Sequence, residues 1–331
     1  MKSPVLLITY RRIETTKKVF EQLRQAKPAR LYFSSNAADP AVPDETEKVR
    51  KVRDLLASID WACDVRTLLR TDHVDVKTSV ASAIDWFFEE ETEGIVLEDD
   101  CLPHQHFFAF CDEMLDRFRN TPEVSIVSGS CFQAPSFLLD SSYYFSKYVH
   151  IWGWATWRRT WSNYDRDMSF WPEWRESSEW ATLFSDRVEE RYWRGRFDSA
   201  YSGEILTWDY QLLASVWRSG GLTVTPSVNL VSNIGFGPDG SFSKNAESPL
   251  GSAPVYDIFP LVHPLTIQAN DRADRFDFDF RFNGRFGRLG YRVVQGIRSI
   301  LITRLLDPIY LFFRNLSTAS PKEKKGDGLR P

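Results

Sequence analysis

Residues 98 to 100 read Glu98-Asp99-Asp100, three adjacent carboxylates that follow directly on the apolar run Gly94-Ile95-Val96-Leu97. Three like charges side by side repel one another and resist burial, so the arrangement is tolerated where a cation or a sugar hydroxyl absorbs the negative charge. Hard oxygen ligands favour Mg2+ or Mn2+. An apolar stretch that stops on acids has the form of a buried strand delivering ligands at its carboxyl end, where open α/β sheets bind theirs. Neighbouring acids alone are common on surfaces. Here the preceding apolar strand, the aromatic pattern that follows and the lack of a Lys or Arg close by in sequence favour a metal and nucleotide site. The pairs Asp165/Asp167 and Asp277/Asp279 lack such a strand and read as surface acids.

The elements that must hold this edge follow from the surrounding pattern. Val5 to Tyr10 reads as a buried strand, the spacing of Val19, Phe20 and Leu23 as a helix, and Leu31 to Phe33 as a second strand. A loop over 36–44, a helix over 45–59 and a strand over 62–69 come next. Residues 77–90 put Val80, Ile84, Phe87 and Phe88 on one helical face just before the acid-bearing strand. A helix over 104–119 and a strand over 124–128 follow. Alternation of this kind predicts an α/β fold with a mostly parallel sheet, because parallel strands need crossover helices.

Composition sets the outer bounds. The chain has 331 residues, 43% hydrophobic and 26% charged, enough for a substantial core. A formal net charge of −4 offers no global attraction to nucleic acid, which is set aside as a partner. Cys63, Cys101, Cys111 and Cys131 lack CxxC spacing and read as reduced thiols. The first residues enter a strand pattern rather than a signal peptide, and no apolar run reaches the ~18 residues of a membrane span. The expectation is a cytoplasmic chain.

Ten of the twelve tryptophans fall between Tyr143 and Trp217. Aromatic faces stack on sugar rings and also fill cores; for any single Trp the core is the commoner fate, but the density marks this stretch as the acceptor half. Residues 221–245 run from a strand-like Leu-Thr-Val-Thr into a loop rich in Asn, Ser and Gly that could close over a ligand. From about 281 the chain turns basic and apolar together. Arg285, Arg288, Arg292, Arg298 and Arg304 interleave with Leu289, Val293, Ile297, Ile300, Leu301 and Leu305, and Asp307 is the one acid between 285 and 316. Two readings stand level: a helix lying on an anionic membrane surface, which would seat the protein peripherally on the inner face of the cell membrane, or a helix docked on the main domain. The tail from 317 to 331 reads as disordered.

Gly235-Phe-Gly-Pro-Asp-Gly240 matches GxGxxG, so an NAD-linked oxidoreductase has to be weighed; a working fingerprint opens a helix in a βαβ unit, whereas Pro238 and its successors continue as loop. His104 and His106 flank Gln105 and could suggest zinc. No HExxH or cysteine pair accompanies them, so they read as structural. No GxSxG elbow or Walker loop is present. Thr207-Trp208-Asp209-Tyr210-Gln211 opens a helical pattern, where Asp209 is either an acid favoured by the helix dipole or a general base beside a cleft.

Together, Gly-Ile-Val-Leu-Glu-Asp-Asp-Cys-Leu-Pro-His (94–104), Tyr-Val-His-Ile-Trp-Gly-Trp-Ala-Thr-Trp (148–157), Thr-Trp-Asp-Tyr-Gln (207–211) and Val-Ser-Asn-Ile-Gly-Phe-Gly (231–237) resemble bacterial GT-A-fold nucleotide-sugar glycosyltransferases over about residues 3 to 270. The motif order is more distantly similar to the N-acetylglucosaminyltransferase I family. The resemblance implies a Rossmann-like GT-A domain over 1–275, with a nucleotide-binding half (1–130) and an acceptor half (131–275), followed by a basic amphipathic extension (276–316). It implies that Asp100 ligates Mn2+ (or Mg2+), that Glu98 and Asp99 contact donor sugar and ribose, and that Asp209 is the catalytic base of an inverting transfer. It further implies that Arg11 and Arg12 meet the nucleotide, that Gly235, Phe236 and Gly237 cover the donor, and that Trp152, Trp154 and Trp208 line the acceptor. The expected partners are a nucleotide-sugar, a UDP-sugar first, and a glycan or lipid-linked acceptor. Tyr210 stands where the family has a second Asp. A non-catalytic, membrane-associated carbohydrate-binding protein is the competing class.

Overall fold

The computed structural model describes residues 1–134, 136–237, 251–282 and 284–289. The chain divides into two compact units, Met1–Asp277 and Phe278–Pro331. The part of the expected amphipathic extension (276–316) beyond Leu289 and the 317–331 tail lie outside the described residues.

Eight strands form one mixed sheet. β1 (Val5–Thr9), β2 (Arg30–Ser35), β3 (Asp64–Leu69) and β4 (Glu93–Glu98) are parallel neighbours, joined by helices α1 (Ile13–Ala26), α2 (Glu45–Arg53) and α3 (Val76–Glu90). β5 (Cys101–Pro103) leaves the sheet, and α4 (Gln105–Phe118) leads to β6 (Val124–Ser128), β7 (Tyr143–Ser146) and β8 (Trp154–Trp157). Short helices α5 (Arg158–Trp161), α6 (Trp171–Trp174) and α7 (Ser178–Thr182) and the longer α8 (Arg187–Tyr201) and α9 (Asp209–Arg218) precede β9 (Leu222–Pro226) and β10 (Val231–Asn233); α10 (Asp271–Arg281) comes last. The strand order is β3-β2-β1-β4-β8-β6-β9-β7, with β8 antiparallel to both β4 and β6, and β5 pairs separately with β10. The protein is therefore α/β, with a mixed sheet flanked by helices.

The sequence expectations for the first 128 residues match the observed elements closely: β1, β2, β4 and β6 are largely apolar and buried, whereas β3, at the end of the sheet, is mostly exposed. α3 starts where Asp75 accepts from Thr78 N at 2.9 Å, and buries Val80, Ile84, Phe87 and Phe88 as its spacing demands. Within these first 128 residues, the strand given no place in the sequence pattern is the three-residue β5.

Trp154-Ala-Thr-Trp157, read as acceptor texture, is a buried central strand. It is steered into place at Gly153, which has φ +66° and whose carbonyl accepts from Gly129 N at 2.7 Å. A Cβ there would press into Val231 at 2.7 Å, so this position takes only glycine comfortably. Further along, Trp171, Trp180, Trp193, Phe197 and Trp217 pack edge to face around α6–α9, Trp171 on Trp180 at 4.9 Å and Trp193 on Trp217 at 5.2 Å. Five of the ten tryptophans between Tyr143 and Trp217, namely Trp171, Trp174, Trp180, Trp193 and Trp217, thus form an aromatic cluster among the helices α6–α9.

α10 begins against β7: Asn270 N donates to Phe145 O at 2.8 Å, and the buried Asp274 accepts from Ser146 Oγ at 2.5 Å and Lys147 N at 3.2 Å. Burial dominates and pushes the Asp274 carboxyl up to about 7, against the two hydrogen bonds. The folded chain thus holds this proton more tightly than the unfolded chain, whose Asp titrates near 4, and stability is lost as pH rises from about 4 through about 7. Asp274→Asn is expected to remove on the order of 2–4 kcal/mol of the fall in unfolding free energy between pH 5 and pH 8. Urea titrations at both pH values check this; parallel pH profiles for the two proteins would contradict it.

Candidate functional site

The site is an edge of the sheet where parallel strands end together. β1 and β4 pair in register Ile8↔Glu98, so the residues just past β1 face those just past β4. Along β4 the side chains alternate: Val96 belongs with Leu6, Ile8, Trp154 and Trp208 on one side of the sheet, and Leu97 with Val5 and Leu7 on the other. Glu98 shares parity with Val96, and Asp99 with Leu97. Asp99 and Asp100 form the turn into β5, whose ladder with β10 (Cys101↔Asn233) brings residues 233–236 alongside.

The acids have a counter-charge that is invisible nearby in sequence. Arg12 forms ion pairs with Asp100 and, at 3.5 Å, with Asp99. Tyr10 N donates to Asp99 Oδ2 at 3.0 Å, and Cys101 Sγ donates to Asp100 Oδ1 at 3.6 Å. The expectation that no neutralising cation lies near the triplet is thus corrected: β1–β4 pairing delivers one from 88 residues upstream. One guanidinium does not balance three carboxylates. Burial first, and the Asp100 charge next, raise both Glu98 and Asp99 above the ordinary carboxylate range, and Arg12 opposes them. Burial works against the Arg12 charge too, but Asp99 and Asp100 outweigh it and hold the guanidinium protonated. Arg11 is committed elsewhere, to the buried Glu45, which also accepts from Tyr10 OH at 2.5 Å and Asp39 N at 2.6 Å. Sequence reading missed Tyr10 and Glu45; a lone Tyr after a strand and a helix-start acid carry no distinguishing pattern.

Asp209 reaches the same edge from far along the chain. Trp208 stacks on Trp154 at 6.0 Å and 25°, and Trp154 is the register partner of Val96, two residues before Glu98. Asp209, the first residue of α9, follows, and its charge is felt by Glu98. Thr207 Oγ1 donates to its carboxylate. The stacking that positions Asp209 uses up the rings of Trp154 (1% exposed) and Trp208 (5% exposed), which leaves Trp152 with a partly exposed ring; it meets Phe236 edge-on at 5.7 Å.

Gly235 stands directly against Asp100. Ile234 N donates to Asp100 O at 2.8 Å and Gly235 N to Asn233 Oδ1 at 2.9 Å. A Cβ on Gly235 would lie 2.7 Å from Asp100 Cγ, so the close approach needs glycine. Gly237 is described, with φ +143°, whereas Pro238 to Gly240 lie outside the described residues. The first glycines of the GxGxxG match follow β10, which is antiparallel to β5 in a two-stranded ladder rather than a parallel strand of a βαβ unit, in keeping with its reading as something other than a dinucleotide fingerprint.

The cation test gives two answers. At the acid edge, Asp100 is the accessible carboxylate (16% exposed side chain) beside an excess of buried negative charge, which fits a hard divalent ion held by one protein oxygen and completed by phosphate and water. Among the described residues, the group of His, Cys, Asp and Glu whose ligand atoms converge within 4.8 Å of one another is His104, His106 and Asp257. The sequence reading of the two histidines lacked this third member, which arrives from the far side of the 238–250 segment.

No family model and no curated protein matches the sequence. Solved structures similar to parts of the chain include HddC from Yersinia pseudotuberculosis (10% identity, 49% of this chain and 80% of that one, TM-score 0.31). Others are a cytidylyltransferase from Leptospira borgpetersenii (12%, 50% and 64%, 0.30) and mouse xyloside xylosyltransferase 1 (13%, 39% and 54%, 0.24). Likenesses this distant carry no conclusion about activity.

Removing one partner of a buried charge cluster leaves the other uncompensated. Arg12→Met is therefore expected to cost about 2–4 kcal/mol at pH 8, and less at pH 5, where Glu98 and Asp99 take up protons. Equal losses at the two pH values in urea unfolding would refute the electrostatic account.

Proposed function

We propose that the protein is a metal-dependent glycosyltransferase that moves a sugar from a nucleotide-diphospho-sugar, a UDP-sugar first, to a hydroxyl of a glycan or lipid-linked acceptor with inversion. The observation that carries this reading is the acid-rich carboxyl end of β4 with Asp209 in electrostatic reach of Glu98. On this assignment the Asp100 carboxylate, shared with Arg12, takes the ion, and Asp209, from a different element, takes the proton.

In this reading Asp100 holds Mn2+ or Mg2+, and the ion supplies neutralisation of the diphosphate. Glu98 and Asp99, with raised proton affinity, meet donor hydroxyls as acceptors or, protonated, as donors. Arg12 orients the acids through its ion pairs with Asp99 and Asp100. Gly235 and Phe236 cover the donor and exclude water. The acceptor oxygen attacks the anomeric carbon, its proton passes to Asp209, and the bond to the phosphate oxygen breaks with its electron pair on the departing nucleotide. In this reading Asp209, from α9, takes the proton on the side of the sugar opposite the departing diphosphate, and the anomeric centre inverts. Trp152 is the aromatic with ring surface left for an acceptor.

No helix among the described residues is long and apolar enough to cross a membrane, and the stretch offered for a lipid surface, 285–316, lies outside the described residues beyond Leu289. A lipid-linked acceptor thus rests on the basic sequence alone.

Asp100→Ala is expected to abolish Mn2+-dependent heat of UDP binding in calorimetry. Asp209→Asn is expected to keep that binding and lower sugar transfer by roughly 10²- to 10⁴-fold. Proton NMR of the first-formed product gives the anomeric configuration. Unchanged UDP and Mn2+ binding by Asp100→Ala would end the assignment, and retention would end the role of Asp209.

A further inference from the structure

The start of α4 and the segment 257–259 are brought together by the strand stretch between them. His104 N donates to Leu230 O at 2.8 Å and Tyr256 N donates to Asn229 O at 3.0 Å, so both segments are pinned to consecutive residues. Asn229 Nδ2 adds a bond to Pro254 O at 3.2 Å. The result is a cluster of three ligand-type side chains. Asp257 Oδ1 lies 3.3 Å from His106 Nδ1 and 3.8 Å from His104 Nε2, and the imidazole rings cross at 79° with centroids 5.0 Å apart. Phe259 packs edge-on against His106 at 5.2 Å.

These separations suit a metal. Tetrahedral sites with ligand bonds of about 2.0–2.2 Å put donor atoms about 3.3–3.6 Å apart, so one pair here is already at that spacing and another is a few tenths of an ångström beyond it. Two imidazole nitrogens and one carboxylate oxygen form the donor set of zinc-like ions, whereas Mg2+ and Ca2+ want oxygen alone. The histidines are about one-third exposed and Asp257 is mostly exposed, so an ion has a way in and a fourth position open to water. The nitrogens are available at small cost: Ile258 N to His106 Nδ1 and His106 N to His104 Nδ1 are both long, at 3.3 Å.

We propose that His104, His106 and Asp257 form a second metal site, for a divalent transition ion of the zinc class with water as the fourth ligand. It is separate from the ion assigned to Asp100 and does not depend on it. The ion joins the residues that follow β5 to the residues that return after position 250, and so clasps both to the same end of the molecule. Its role is to hold these segments.

The test uses the full chain stripped with chelator and titrated with ZnCl2 alone, by calorimetry and by the zinc-induced rise in melting temperature. One zinc is expected to bind in the wild type and in Asp100→Ala, with two imidazole nitrogens in its X-ray absorption spectrum. Asp257→Ala, an exposed change that leaves no cavity, is expected to weaken zinc by roughly 10- to 100-fold or more while keeping the far-UV spectrum and the melting temperature of the metal-free protein. His106→Ala with Asp257→Ala should remove the site. Equal zinc affinity in the wild type and the double variant would overturn the proposal, as would loss of zinc in Asp100→Ala alone, which would place the ion at the acid edge.

Discussion

The compensation of three carboxylates by one guanidinium governs the carboxyl end of the sheet. Arg12 meets Asp99 and Asp100 while Glu98 stands on the other side of the strand with its proton affinity raised by burial. Such a balance leaves net negative charge in a protected place, and a protein tolerates that cost where a ligand relieves it. The neighbouring features are arranged around this deficit. Tyr10 offers its N–H to Asp99, Arg11 is drawn off to Glu45, and Gly235 comes as near to Asp100 as a residue without a side chain can.

The two faces of β4 give the edge its division of labour. Even-numbered side chains lead toward the Trp154–Trp208 stack and so to Asp209, and the turn at 99–100 leads toward β10 and Gly235. Asp209 and Asp100, the proposed base and ion ligand, are thereby held by different packing, so a change in one need not disturb the other. The aromatic-rich middle of the chain serves this largely from within: Trp154 and Trp208 matter by being buried.

Most elements of the first 128 residues were legible because their buried strands are largely apolar runs separated by amphipathic helices with caps such as Asp75. The acid triplet was legible for the same reason, since it interrupts such a run. What stayed hidden was set by tertiary pairing. Arg12 reads as one of two arginines after a strand until β1 lies beside β4, and Asp257 reads as a surface acid until Leu230 and Asn229 gather His104 and Tyr256. Trp154-Ala-Thr-Trp157 concealed a central strand because large rings give no alternation to detect, and β5 is too short to have a period.

The place of β8 bears on how the chain is made. It lies between β4 and β6, yet both are synthesised before it, β4 about fifty residues earlier. At about 5–20 residues per second, the growing polypeptide carries two unpaired strand edges for several seconds. Open edges of this kind recruit other chains. During translation the hazard of misassembly therefore peaks between residues 98 and 154, and a slowly translating or chaperone-poor host would pay in insoluble protein well before the C-terminal region has left the ribosome.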